Sequence, residues 1–304
     1  MYFLKRLFFL LPLLLLISFL AFVLVRVAPG GPFDKERKPA SPEIERNLKA
    51  KYHLDESFGK QYERFLAGLI RGDFGPSLKY RSHSVTDIMT QGLPISMTLG
   101  LLAFGFAMGT GIPLGLITAV RRGGWIDLGG SFLAILAVCV PGFVVGPLLI
   151  MLFAIHWRLF PVGLWGTPAH AVLPVIALGL FFAGKVARLM REGMLGVMNA
   201  EFVTAARARG LSEGAVIIKH AFRLAVLPVV SYAGPMLADL LTGSFVVENI
   251  FQIPGLGVFL VNSSLNRDYP MVVGLVLLYA VLLLGLNLVV DMAYRWLDPR
   301  VKYD

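Results

Sequence analysis

The 304 residues carry 28 Lys plus Arg against 19 Asp plus Glu, a formal charge of +9. Hydrophobic residues make up 57% and charged residues only 15%, where ~25% charged is ordinary for soluble domains. A mean hydropathy of +0.73 exceeds what one soluble core buries, which excludes a soluble enzyme, a disordered chain and a disulfide scaffold and requires several segments to face lipid.

A span needs ~20 mostly apolar residues, because 1.5 Å of rise per residue must cross ~30 Å of hydrocarbon. Six stretches meet that length: Leu7 to Ala28, Leu93 to Val120, Leu128 to Ile155, Ala171 to Leu189, Leu224 to Val247 and Met271 to Ala293. The first follows Lys5 and Arg6, but its apolar run outlasts the roughly 7–15 residues of a secretory leader. It reads as an uncleaved helix. Residues 1–28 therefore form the first segment, 29–92 a segment on the far side, and 93–304 a helical core containing a loop over 190–223. The far-side segment opens on the breakers Pro29, Gly30, Gly31 and Pro32. Between Pro42 and Ile70 the apolar positions Ile44, Leu48, Tyr52, Phe58, Tyr62, Phe65, Leu66 and Leu69 recur mostly at helical spacing, so amphipathic helices are expected to cap the outer mouth of the bundle.

The positive charge is a topology signal rather than a nucleic-acid footprint. With a cytoplasmic N-terminus, the inner segments hold Lys5, Arg6, Arg121, Arg122, Lys185, Arg188, Arg191, Arg207, Arg209, Lys219, Arg223, Arg295, Arg300 and Lys302, and the short outer loops only Arg158 and Arg267. That is the positive-inside asymmetry, and long translocated segments are exempt from it. Six spans then return the C-terminus to the cytoplasm.

Most chemistry is missing. Cys139, the single cysteine, lies in an apolar run, forms neither an intrachain disulfide nor a zinc knuckle, and reads as a small core residue. Gly179 to Lys185 copies the spacing of a phosphate-binding loop, but Val186 stands where a magnesium-binding Ser or Thr is needed. The five histidines form no metal-ligand pattern, and no catalytic constellation or Gly-x-Ser-x-Gly elbow is found. Gly105, Gly109, Gly111 and Gly115, with Gly142 and Gly146, give the small-residue spacing of close helix contacts. Pro113, Pro141, Pro147 and Pro174 are candidates for kinks.

The loop from Met190 to Arg223 is the informative stretch. Glu201 to Arg209 predicts a short helix ended by Gly210, and Ser212 predicts the N-cap of a second helix with Glu213 in its first turn. Two helices meet at a glycine corner, with small side chains at Ala205 and Ala206 that would let a partner approach the backbone. Ionisable groups within spans are expensive and tend to face cavities. Asp239 in the fifth span is the best such case, and Glu248 lies nearer its outer end.

Thr204-Ala205-Ala206-x-x-x-Gly210 resembles the Glu-Ala-Ala-x-x-x-Gly signature of the membrane subunits of ATP-binding-cassette importers. Thr204 replaces the glutamate, and the later Ile-x-Leu-Pro is here His220 to Arg223 with the proline displaced to Pro228. Those departures are similar to the peptide-importer branch, as are Gly72 to Ser77, Pro254 to Gly257, Leu265 to Tyr269 and Asp298 to Arg300. Almost the whole chain resembles the first permease subunit of oligopeptide importers.

The resemblance implies an all-α, six-span permease of the type I importer fold whose loop is a coupling helix seated on a cytoplasmic ATPase. Glu201, Thr204, Ala205, Ala206, Arg207 and Gly210 would form the docking element. From the cost of intramembrane charge, and not from the resemblance, Asp239 and Glu248 are the candidates for the translocation route, with an aspartate bonded to a neighbouring helix as the alternative for Asp239. The implied partners are a second homologous permease subunit, two cytoplasmic ATPase subunits carrying ATP and magnesium, an extracytoplasmic peptide-binding protein and membrane lipid. No cofactor is expected in this chain and no nucleic acid. It is expected in the bacterial inner membrane and not to be an enzyme itself. The loop signature is shared by dipeptide, nickel and glutathione importers. A self-sufficient secondary transporter would need discontinuous helices and more coupling-ion carboxylates.

Overall fold

The computed structural model describes residues 2–27, 46–47, 50–80, 82–241 and 245–297. The breakers at 29–32, Ile44, Leu48 and the 298–300 motif lie outside the described residues. Helices run in the order α1 Tyr2–Val27, α2 Phe58–Ile70, α3 Val85–Val120, α4 Trp125–Cys139, α5 Gly142–Leu149, α6 Pro168–Val197, α7 Glu201–Ala208, α8 Glu213–Ala215, α9 Phe222–Ala225, α10 Leu227–Leu241, α11 Phe245–Ile250, α12 Leu256–Asn266 and α13 Tyr269–Leu297. π-helical turns extend α5 over Ile150–His156 and join α8 to α9 over Val216–Ala221. Among the described residues the only extended pairing is an isolated bridge between Pro76 and Ser84. An all-helical backbone satisfies its own polar groups, as a lipid environment demands.

Five stretches, Phe8–Val27, Val85–Val120, Pro168–Val197, Leu227–Ile250 and Tyr269–Val289, are long and apolar enough to cross a membrane. The stretch expected as one span from Leu128 to Ile155 is instead two helical pieces bent by 104° between Cys139 and Gly142. The cause is local. The ring of Pro141 disfavours helical geometry at the residue before it, and Val140 sits at φ −84°, ψ 117°. This bend also leaves Cys139 exposed in the last turn of α4 rather than in the core position expected for it. α3 starts at Val85, ahead of the expected Leu93, and its 36 residues span about 54 Å at 1.5 Å each, well beyond the hydrocarbon thickness.

The chain divides into two compact units, one of Met1–Ser96 with Pro254–Leu282, the other of Met97–Ile253 with Leu283–Asp304. In the first, α2 is the main described part of the far-side segment expected to be amphipathic helix. It leans along α1 and α13: Tyr62 and Ser18 hydroxyls lie 2.8 Å apart, the rings of Phe22 and Tyr62 meet edge-on, and Phe65 and Leu69 pack on Ala21, Val273 and Leu277. A second core joins Val85, Ile88 and Met89 of α3 to Leu256, Met271 and Leu275. Buried Asp268, in the turn from α12 to α13, clamps the segment before α3. Its carboxylate accepts the Leu78 N–H at 3.0 Å, the Lys79 N–H at 3.4 Å and the Ser77 hydroxyl. The same Ser77 oxygen accepts the Tyr80 N–H at 2.9 Å. Burial, and then the Asp268 charge, push the Tyr80 phenol up.

In the second unit α6 is the central element. Its approach to α3 is set by glycines: a Cβ on Gly111 would lie 2.7 Å from the Ala183 carbonyl oxygen, and one on Gly115 2.3 Å from that of Ala187. Gly184 makes the matching contact with Ala134 of α4. Gly105 and Gly109 face open space, whereas Gly111, Gly115 and Gly146 meet neighbours at contact distance or closer, so the expected glycine spacing packs only in part. Arg191 of α6 holds Asp127 of α4 in a fork, Nε to Oδ1 at 2.8 Å and a terminal nitrogen to Oδ2 at 2.9 Å. The Gly123 N–H also donates to Oδ2, at 2.9 Å. The fork therefore ties α6 to the turn between α3 and α4.

Candidate functional site

The loop after α6 is a folded double leg. α7 is eight residues long, and its exposed positions Glu201, Thr204, Ala205 and Ala208 recur at the spacing of one helix face. The opposite face, Val203 and Ala206, is buried against the loop itself. The two alanines therefore differ: Ala205 is open to a partner, whereas Ala206 is already covered by its own chain. Chain reversal occurs at Gly210, with φ +77°. A left-handed backbone of this kind costs a residue with a Cβ about 1–2 kcal/mol, and glycine avoids that cost.

Ser212 occupies the N-cap position in extended geometry but makes no side-chain capping bond, unlike the cap expected from the sequence. The corner is closed by charge instead. Arg207 donates to Glu213 from Nε at 2.8 Å and from a terminal nitrogen at 3.3 Å. Both side chains are largely exposed, so the pair is worth at most about 1 kcal/mol and chiefly fixes geometry.

The return leg runs through the π-helical turn, with Val216, Ala221 and Ala225 completely buried. It is pressed against the end of α6 at Gly193, where a Cβ would lie 2.1 Å from the Ala225 carbonyl oxygen. Gly193 and Ala225 were not singled out from the sequence. A glycine inside a strong helix, facing the small residue of a returning segment, was the available signal.

Asp239 is exposed on α10, sharing a face with Ser231 and Pro235 at four-residue spacing. Lys185 of α6 is close enough to act electrostatically on Asp239. Its ammonium lies 4.4 Å from the Phe181 ring centre and 5.7 Å from that of Tyr232. Lys185, Tyr232 and Asp239 thus form a polar cluster on otherwise apolar helices. Glu248 is placed differently, completely buried in α11, and does not share that face. The phosphate-loop look-alike is continuous helix within α6. Its Gly179 and Gly184 make helix contacts with Ala103 and Ala134. Among the described residues no three His, Cys, Asp or Glu gather as metal ligands.

Residues 111–303 match the family described as binding-protein-dependent transport system inner membrane component. The dipeptide transport system permease protein DppB of Bacillus subtilis is 42% identical over 301 residues, covering 99% of this chain and 97% of that protein. The oligopeptide transport system permease protein OppB of Haemophilus influenzae is 41% identical over 301 residues, covering 98% of each. Among solved structures, an inward-facing conformation of the MetNI methionine ABC transporter matches with a TM-score of 0.57 at 16% identity, over 69% of this chain and 96% of that one. The last likeness concerns the fold.

Proposed function

Because the chain belongs to the family of binding-protein-dependent transport system inner membrane components, we propose that it is the permease subunit through which an ATP-driven importer carries peptides. It is a multi-pass membrane transport subunit. It forms the translocation route with a second homologous permease, and an extracytoplasmic binding protein delivers the cargo. Two cytoplasmic ATPases bind ATP and magnesium and drive the cycle. Both termini are cytoplasmic, as the distribution of Lys and Arg favours.

The observation that carries this reading is the double leg around Gly210. Coupling needs a rigid element with different contacts in two states. α7 presents Glu201, Thr204 and Ala205 outward, while Ala206, Arg207 and Gly210 hold the corner rigid. Motion of a docked ATPase reaches α6 and α10 through the Gly193–Ala225 contact. In the membrane, the Lys185, Tyr232 and Asp239 face lines the peptide route, Asp239 offering negative potential to cationic cargo. Glu248 supports that wall from inside the subunit.

Oligopeptides are the favoured cargo. The 42% identity with a dipeptide permease favours dipeptides as the second reading. Copurification with the ATPases, followed by uptake in proteoliposomes, tests the assignment: uptake should be vanadate-sensitive and require the ATPases. Uptake by this chain alone would make it a secondary transporter. Asp239→Asn should lower uptake of cationic peptides relative to neutral ones, and an unchanged preference would remove Asp239 from the route.

A further inference from the structure

A cavity of about 590 Å³ lies in the first unit, walled by the end of α1, by α2, by the segment 73–78 and by the start of α13. Its depth is fixed by two lining residues. Arg26 is in the last turn of the span Phe8–Val27, and Tyr269 opens the span Tyr269–Val289. Both mark the membrane–water boundary, where headgroups sit and where aromatic and basic side chains concentrate.

The charge of the wall is one-sided. Arg26, Lys51, Arg64 and Arg71 line the cavity against a single lining carboxylate, Asp73. Arg64 is neutralised by Glu56 at 2.7 Å. Arg26 is not. Its Nε and one terminal nitrogen donate to the Gln61 side-chain oxygen at 3.1 and 3.0 Å, and the other donates to the Phe22 carbonyl at 3.4 Å. Its guanidinium lies 3.4 Å over the Phe22 ring and 5.6 Å from that of Tyr269. All of these partners are neutral. Among the described residues this half-buried guanidinium has hydrogen-bond and ring partners but no carboxylate, and an anion in the cavity would meet its charge.

We propose that this cavity holds the phosphodiester headgroup of an anionic phospholipid. Arg26 is its fixed charge, and Lys51 and Arg71 are its mobile ones. The apolar floor decides for a lipid over a soluble anion. Phe22, Phe65 and Val273 line the cavity, and one turn below Phe22 on the same face of α1 Phe19 is exposed, an apolar surface suited to an acyl chain. Basic pockets between membrane helices select anionic headgroups through this combination of charge and depth.

The test uses the intact assembly in nanodiscs of phosphatidylcholine with and without phosphatidylglycerol, with retained lipid read by native mass spectrometry. Lys51→Gln with Arg71→Gln changes two exposed side chains and leaves the packing alone. Arg121→Gln with Arg122→Gln removes the same charge elsewhere. Wild type and the Arg121/Arg122 control should retain phosphatidylglycerol over phosphatidylcholine, and the Lys51/Arg71 variant should lose about fivefold in retention for each cation removed. Arg26→Gln should abolish the preference and Arg26→Lys should keep part of it. Equal retention in all variants overturns the proposal. So does full displacement by glycerophosphoglycerol, which would make the ligand a soluble phosphodiester, or labelling of the lining residues Tyr52 and Phe74 by a photoreactive peptide, which would make it cargo.

Discussion

Replacing Gly193 with alanine tests whether the two legs of the loop act as one lever. A Cβ there would lie 2.1 Å from the Ala225 carbonyl oxygen and 3.1 Å from its carbon. An ordinary contact begins at 3.4 Å, so the end of α6 and the return leg must part by about 1.3 Å. Overpacking of this kind costs about 1–3 kcal/mol. Alanine also raises helix propensity by about 1 kcal/mol, so the net loss alone is ambiguous. Gly196, in the same helix, resolves it, because nothing lies within 4 Å of its added Cβ. Gly196→Ala gains the propensity and meets no obstacle, and the difference between the two variants isolates the clash. In detergent, Gly193→Ala should unfold about 1–3 kcal/mol more easily than Gly196→Ala. In proteoliposomes with the partner subunits it should transport less peptide per ATP hydrolysed. Identical unfolding and identical coupling in the two variants would refute the idea that the legs are pressed together at this point.

Other substitutions separate docking from rigidity. Gly210→Pro demands φ near −65° where the chain holds +77°; peptide uptake should be lost while insertion into membrane, measured by fractionation, stays normal. Ala205→Trp should weaken ATPase copurification without changing thermal stability, because Ala205 is exposed. Ala206→Trp should lower stability by about 1–3 kcal/mol, because Ala206 is buried; equal behaviour of the two would invert the assignment of faces. Asp268→Ala leaves the Leu78 and Lys79 N–H groups and the Ser77 hydroxyl without their acceptor. It should cost about 1–3 kcal/mol and open the segment 73–80 to limited proteolysis. The raised Tyr80 phenol contributes stability that is complete below its ordinary value near pH 10 and is lost as pH rises above it. Tyr80→Phe should remove that alkaline step from a pH series of melting temperatures.

What the sequence discloses is what depends on neighbouring residues. Where the spans lie follows from local sums of apolar side chains, and the corner at Gly210 from a local backbone requirement; both are readable, whereas the length of α3 is not. The break at Val140 was readable in principle, since the effect of Pro141 reaches only one residue back. Within a run this apolar, however, length outweighed it. The Asp268 clamp was hidden for the opposite reason. The segments Gly72 to Ser77 and Leu265 to Tyr269 each stood out, but their contact joins residues 191 positions apart, and no periodicity connects them. Arg191 shows the same limit: as a charge it reports topology, while its fork on Asp127 needs a partner 64 positions away.

Asp239 and Glu248 lie between these cases. As acidic residues in an apolar stretch they carry the same compositional signal, and both were assigned to the route. The structure separates them by exposure: Asp239, on α10, is exposed beside Ser231 and Pro235, whereas Glu248, on the separate α11, is completely buried. The cost of an ionised group in a span draws both acids away from lipid in the same way, so composition treats them alike, and only packing, which the sequence does not print, tells an accessible carboxylate from one enclosed by its own chain. That is why the peptide-preference test is placed on Asp239.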